Sequence, residues 1–209
     1  MKIIINKNSH QLIERKMLEL LVPYKEDCVE RKFNKNNFMN FYRDFHVRLI
    51  EDYGERKDAF NLAAHESTSK YIALTDVDCI ISADQIDKAI HILEYEDCDV
   101  VYPYDYILNV YKDGSVKDTW PHKFHFGLMV IFNRQKFIEF GGENDDLIGY
   151  GYEDMERYYR ALNYGLRVGR VEGSAIHLQH PRFGFDNPHL KHNKRLYEKE
   201  RDKWFNRQT

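Results

Sequence analysis

Long apolar runs are missing from this chain of 209 residues. No stretch approaches the roughly 20 residues that cross a bilayer, and the opening MKIIINKNSHQ lacks the hydrophobic region of a signal peptide. The expectation is a cytoplasmic chain without a leader, anchor or membrane span. Cysteine is scarce: Cys28, Cys79 and Cys98 are isolated, odd in number and without CxxC spacing. They read as buried free thiols of a reducing compartment, which excludes a disulfide framework and a zinc ribbon. An excess of one charge is also lacking, with 31 Lys+Arg against 34 Asp+Glu and a net charge of −3. That balance argues against bulk electrostatic capture of nucleic acid. Lys191, Lys194 and Arg195 could make a local basic patch, but they read more simply as a solvated helix face. There is no repeat, low-complexity tract or Pro/Gly/Ser linker, so one domain is expected. What is present is 43% hydrophobic residues, too many for a disordered chain, together with 14% aromatics, including 15 Tyr. Many of the aromatics sit near glycines and carboxylates, a mixture that suits a polar ligand held by ring faces and equally a Tyr-rich core.

Hydrophobic patterning predicts alternating elements in the first half. Residues 1–6 (MKIIIN) read as a strand, 18–23 (LELLVP) as a strand or a helix end, 27–44 as a helix, and 46–50 as a strand. Residues 55–67 read as a helix with Ala59, Leu62, Ala63 and Glu66 on one face. The clearest strand is YIALT at 71–75, apolar on nearly every residue and so buried on both faces, as in a helix-covered parallel sheet. It runs directly into Asp76-Val77-Asp78. Ser82 offers an N-cap, with Gln85 at the capping-box position, to a helix ending near Tyr95. Residues 99–102 and 107–111 read as strands, 112–115 as a hairpin turn, and 127–132 as a buried strand before a short helix to Phe140. A Gly- and acid-rich loop spans 141–151, a helix runs over 153–163 to Gly165, 174–177 is a strand, and 187–207 is a charged helix. The fold class is therefore α/β, a mostly parallel sheet flanked by helices with an irregular carboxyl-terminal half. Ligands bind such sheets beyond the carboxyl ends of the strands, where Asp76 and Asp78 lie.

Three constellations could carry chemistry. Two carboxylates one residue apart at a strand end, Asp76 and Asp78, can share a hard divalent cation, which would neutralise a diphosphate. The bland alternative is a capping Asp beside a surface Asp. In Gly149-Tyr150-Gly151-Tyr152-Glu153-Asp154-Met155-Glu156, glycines permit a tight turn and close approach of a ligand, and the acids open a helix. A carboxylate there suits a general base and Tyr150 and Tyr152 suit sugar stacking, although first-turn acids also simply complement the helix dipole. His177 and His180, three apart after a strand, can converge on one metal if the chain turns; otherwise one is a core and one a surface histidine.

Together these residues resemble a glycosyltransferase of the GT-A fold, and in particular the β-1,4-galactosyltransferase family with its carboxyl-terminal galactosyltransferase module. The family's R-x4-N helix before DxD is matched by Arg56 and Asn61, its G-W-G-G-E-D-D-D motif by GYGYEDME, and its M-x-x-H by His177-x-x-His180. FGLMVIFNRQKFIEFGG at 126–142 is similar to its Phe-Gly strand leading to a helix and a Gly turn. The resemblance covers roughly 56–182. Tyr150 stands for the family's Trp, Met155 and Glu156 for two of its acids, and His177 for its methionine, an exchange that suits Mn²⁺ or Mg²⁺.

By this resemblance the chain is one GT-A-like domain over 1–209, with a nucleotide-binding half (1–102), an acceptor and metal half (103–186) and a terminal helix (187–209). Asp78, His177 and His180 would hold Mn²⁺ or Mg²⁺. Pro23, Tyr24, Arg56, Asn61, Asp76 and Asp78 would bind a UDP-sugar donor, and Tyr150, Gly151, Tyr152 and Glu153 a glycan or small hydroxyl acceptor. Asp154 would be the catalytic base. A related retaining group, the polypeptide N-acetylgalactosaminyltransferases, has Asn where this chain has Asp154, so the acid favours inversion. The implied activity is metal-dependent, inverting transfer of a hexose, galactose or N-acetylgalactosamine. A catalytically weak sugar-nucleotide-binding module, or the same transfer onto a modified DNA base or a protein, is the alternative. A phosphatase of the haloacid dehalogenase type also places DxD after a strand. Its strand opens the domain, though, and here DxD falls at 76–78 without the accompanying Ser/Thr and Lys motifs.

Overall fold

The computed structural model describes residues 15–208 apart from 52, 121–124 and 182–186. The strand expected at 1–6 lies outside the described residues. Ten strands and six helices follow: β1 (Leu18–Pro23), α1 (Val29–Phe41), β2 (His46–Ile50), α2 (Arg56–Glu66), β3 (Tyr71–Thr75), β4 (Cys79–Ile81), α3 (Ala83–Tyr95), β5 (Val100–Tyr102), β6 (Tyr106–Val110), β7 (Val116–Trp120), β8 (Met129–Asn133), α4 (Arg134–Glu139), α5 (Glu153–Tyr164), β9 (Val168–Arg170), β10 (Ser174–Leu178) and α6 (Leu190–Asn206).

The main sheet has the order β2-β1-β3-β8-β5-β9. Only β8 runs against its neighbours, pairing antiparallel with β3 and β5, while β1 is parallel to β2 and β3, and β5 to β9. Every residue of β1 and β3 is buried, as the largely apolar runs LELLVP and YIALT require of central strands covered on both faces. Glu19 is the charged residue within these two strands, and it is satisfied by Arg48 at 2.8 Å and by the Ser67 hydroxyl at 2.5 Å. Helix α2 packs on β1, and α3 on β5, β8 and β9. Ser82 caps α3, its hydroxyl accepting from Gln85 N at 3.2 Å.

A second sheet, ordered β4-β10-β6-β7, joins the β6–β7 hairpin to β10 and to β4 from the first half. Strand β10 is its centre, antiparallel to β4 and parallel to β6. Tyr42, fully buried at the end of α1, ties that helix to this sheet: Ile81 N donates to its hydroxyl at 2.8 Å and the hydroxyl donates to Ile81 O at 3.2 Å.

Two expectations are corrected. Only Cys79 is buried, while Cys28 and Cys98 are half-buried. Cys28 lies at a helix start, where its thiol accepts from Arg31 N at 3.4 Å. On α2 the face against the sheet is Ala59, Phe60, Ala63 and Ala64, and Leu62 is exposed. Phe60 drives that face inward because it has the largest apolar surface to bury.

Candidate active site

At the end of β3 the chain turns within three residues. Asp76 N donates to Leu128 O at 3.1 Å, and Cys79 N donates back to Asp76 O at 3.1 Å, sending the chain into β4. In the second sheet Cys79 pairs with His177 and His177 pairs with Asn109. Leu178 N donates to Asp78 O at 2.8 Å. Strand register thus places Asp78 beside a histidine far away in sequence, and the turn after β10 brings in His180. His180 Nε2 lies 2.7 Å and His177 Nε2 3.7 Å from Asp78 Oδ2. Single ligand atoms of the three residues lie within 4.8 Å of one another, and among the described residues this is the cluster with metal-binding geometry.

The surroundings of this triad fit a divalent cation. Among the described residues Asp78 Oδ1 is buried without a hydrogen-bond partner, a costly state for a carboxylate oxygen that an ion would relieve. His180 Nδ1 sits 2.7 Å from Pro181 O, and His177 Nδ1 sits 3.0 Å from Asn109 Oδ1. Such outer partners aim the opposite ring nitrogen, Nε2, at a metal. Two imidazoles and one carboxylate form a mixed nitrogen and oxygen donor set that takes first-row divalent ions. Burial alone would raise the pKa of Asp78, but hydrogen bonds from His177 and His180 outweigh it and hold the acid well below the usual carboxylate range. The same bond raises the pKa of His180.

The triad lies in a cleft of about 620 Å³ lined by Pro23, Arg31, Tyr53, Arg56, Asp76, Val77, Asp78, Ile107, Asn109, His125, Gly127, Leu128, Tyr150, Asp154, His177 and His180. Arg56 Nη2 holds Asp76 Oδ1 at 2.7 Å. Asp76 is deeply enclosed although part of its surface meets the cleft. Burial pushes its pKa up to about 6, against the pull of Arg56 and with the charges of Asp78 and Asp154 adding to the rise.

Asp154 opens α5 and is held by a buried arginine. Arg157 Nη2 donates to Asp154 Oδ1 at 2.6 Å and to Phe126 O at 3.2 Å, while Nη1 donates to Glu143 Oε1 at 2.8 Å. The other oxygen, Asp154 Oδ2, lies against Gly127, where an added Cβ would come within 2.8 Å of it. One oxygen is fixed and the other reaches the cleft wall.

The loop before α5 needs its glycine at 151. Gly151 has φ +114°, and a Cβ there would also meet Leu190 Cδ1 at 2.5 Å. Gly151 N donates to Glu153 Oε2 at 2.6 Å, and Glu153 Oε1 lies 3.9 Å from Arg56 Nη1. Burial first, then the charge of Asp154, pushes the pKa of Glu153 up to about 7, with Arg56 opposing. Tyr152 stacks on Tyr197 of α6 at 5.6 Å between ring centroids.

Of the residues expected from sequence, the cleft gathers Pro23, Arg56, Asp76, Asp78, Tyr150, Asp154, His177 and His180. Tyr24, Asn61, Gly151, Tyr152 and Glu153 are not on its wall. Tyr24 is buried, its hydroxyl donating to Glu26 at 3.0 Å. Asn61 braces the loop before α5, donating to Glu143 O at 3.0 Å and accepting from Glu143 N at 2.7 Å. Sequence reasoning missed Arg31, Tyr53 and Asn109 on the wall and Arg157 behind it. Asn109 carried one signal, a polar residue inside the apolar strand YILNV.

The family model described as the N-terminal domain of galactosyltransferase matches residues 117–182. No curated protein matches the chain. Among solved structures, the catalytic domain of Drosophila β1,4-galactosyltransferase 7 in complex with xylobiose is 20% identical. That match covers 73% of this chain and 63% of the other, with a TM-score of 0.51. A mannosyltransferase from Pyrobaculum calidifontis in complex with GDP-Man and Mn²⁺ is 15% identical over 81% of this chain and 58% of its own, with a TM-score of 0.53. GalNAc-T7 with UDP, GalNAc and Mn²⁺ is 11% identical over 90% and 49%, with a TM-score of 0.59. The chain thus spans between 49% and 63% of the lengths of these three structures. Among the described residues no helix is long and apolar enough to cross a membrane.

Proposed function

From a chain with the GT-A fold that resembles galactosyltransferases over 117–182, we propose a metal-dependent, inverting glycosyltransferase that moves galactose or N-acetylgalactosamine from a UDP-sugar to a glycan hydroxyl. The observation that carries this reading is the Asp78–His177–His180 triad, with its unsatisfied carboxylate oxygen, in one cleft with the arginine-held Asp154. Two of the similar structures hold molecules in line with it, UDP, GalNAc and Mn²⁺ in one and xylobiose in another, while the third holds Mn²⁺ with GDP-Man.

Asp78, His177 and His180 would hold Mn²⁺ or Mg²⁺, which when bound stabilises negative charge on a departing diphosphate. Arg56 and Arg31 add positive charge to the wall where the diphosphate would lie, and Tyr150 offers a ring face to the acceptor. Asp154 Oδ2 takes the proton of the acceptor hydroxyl. The acceptor's hydroxyl oxygen, freed of that proton, bonds to the anomeric carbon as the bond from carbon to the β-phosphate oxygen breaks, and UDP departs. Arg157 keeps Asp154 Oδ1 occupied, so Oδ2 is the oxygen left to accept the proton. A single base opposite the leaving group gives inversion, by the logic of inverting glycosidases. Asn61 and Glu153 act from behind, bracing the loop that carries Tyr150.

The test is a thermal-shift screen of nucleotide sugars with and without Mn²⁺, since binding to the folded state raises Tm by mass action. The reading expects a UDP-sugar to stabilise the protein only when Mn²⁺ is present. Indifference to every nucleotide sugar with the metal would overturn it.

A further inference from the structure

The ring of His177 is held by two side-chain amides that make opposite demands on it. Its Nδ1 lies 3.0 Å from Asn109 Oδ1 and 2.8 Å from Gln179 Nε2. Gln179 Nε2 in turn donates to Asn109 Oδ1 at 2.7 Å, so in this arrangement Asn109 presents an acceptor to the ring and Gln179 a donor. Neutral imidazole carries one proton, so Nδ1 can satisfy only one of them. If Nδ1–H donates to Asn109, Nε2 has a lone pair and faces Asp78 ready to bind a cation. If Nδ1 accepts from Gln179, the proton sits on Nε2, which then points an N–H at Asp78 Oδ2, 3.7 Å away. That second state puts a proton where the cation would sit and blocks the metal.

We infer that Asn109 and Gln179 are positioning residues that set the metal affinity of the site through the tautomer of His177, Asn109 favouring the binding form and Gln179 opposing it. This rests on the proposed metal triad and assigns two further residues to it. Both are placed by the second sheet. Asn109 is the register partner of His177 on β6, and Gln179 is pinned just beyond β10 by its backbone N–H donating to Val110 O at 2.8 Å. At the neighbouring His180, Nδ1 meets one partner among the described residues, the Pro181 carbonyl acceptor, so no donor competes there for the ring nitrogen.

The experiment is calorimetric titration of Mn²⁺ into the UDP-saturated full chain, wild type, Asn109→Ala and Gln179→Ala. Removing an outer partner that favours binding weakens affinity about 10- to 100-fold, the expectation for Asn109→Ala. Removing the opposing donor tightens it between about twofold and tenfold, corresponding to a blocked tautomer populated from half to nine-tenths. Opposite signs are a result that a merely structural role would not produce. Long-range ¹H–¹⁵N spectra of His177 in the metal-free proteins read the tautomer directly and should show Nδ1–H gaining in Gln179→Ala. Affinities that move in the same direction, or not at all, while the wild type binds Mn²⁺, overturn this inference alone. A wild type that binds no Mn²⁺ overturns the triad as well.

Discussion

Adding one methyl group at Gly127 tests whether Asp154 works from where it stands. The Cβ of Gly127→Ala would lie 2.8 Å from Asp154 Oδ2, about 0.6 Å short of the 3.4 Å at which ordinary contact begins. The carboxylate must retreat by about that distance, and Arg157, anchored in turn by Glu143 and Phe126 O, resists the movement. The backbone itself is unstrained, because Gly127 is not among the residues with positive φ. Alanine there also removes about 0.4–1 kcal/mol of unfolded-state entropy, which offsets the clash, so Tm should change little. A misplacement of 1 Å at a reacting group costs up to ~10²-fold in rate, so 0.6 Å predicts a kcat lower by roughly 10- to 100-fold. Mn²⁺-dependent UDP binding should stay at the wild-type value. The assay is UDP release with acceptor present, beside calorimetric UDP binding. Combined with Asp154→Asn, the alanine should cost nothing further, since the group it displaces no longer accepts a proton. Wild-type turnover in Gly127→Ala would refute the placement of the base.

Three further outcomes follow from the same contacts. Asp154→Asn should abolish transfer and keep metal-dependent nucleotide binding, as seen by calorimetry; retained transfer removes Asp154 from the role of base. Glu153 has a pKa raised from 4.5 to about 7 in the folded protein, so it contributes stability that is fully present below about pH 4.5 and lost as pH rises through about 7. Denaturant titrations of Glu153→Gln should therefore gain on the wild type by up to roughly 3 kcal/mol between pH 5 and 8; parallel pH curves would contradict the burial argument. Tyr42→Phe leaves the buried Ile81 N–H without its hydroxyl partner and should cost about 1–3 kcal/mol, read as a lower denaturation midpoint with an unchanged m-value.

Much of the fold could be read locally because local pattern and tertiary fate agreed. YIALT is apolar at all but the last buried position of β3, and Ser82 with Gln85 marks the start of α3 where the cap is found. Strands β4 and β9 are three residues each, too short for a periodic signal, and exist only through pairing with β10 and β5. Leu62 misled because spacing alone cannot tell which side of a small alanine-rich helix meets the sheet, and Phe60 decides it. The site divides the same way. Asp76 and Asp78 announce themselves at a strand end. Arg157 and Asn109 act through partners 14 and 68 residues away, Glu143 and His177, and no local pattern encodes such contacts. Asn61 is named through the R-x4-N resemblance as a donor-binding residue, and the partner it finds is a loop backbone.

The central claim is that two imidazoles and one carboxylate grip the same ion. Electron spin-echo modulation of Mn²⁺ bound with UDP measures this directly, because nitrogen ligands imprint their own frequencies on the manganese signal. The account predicts nitrogen couplings from two histidines, reduced in His177→Ala, reduced again when His180→Ala is added, and no tightly bound ion in Asp78→Ala. A manganese signal free of nitrogen modulation, or one that survives the loss of Asp78 unchanged, would contradict it.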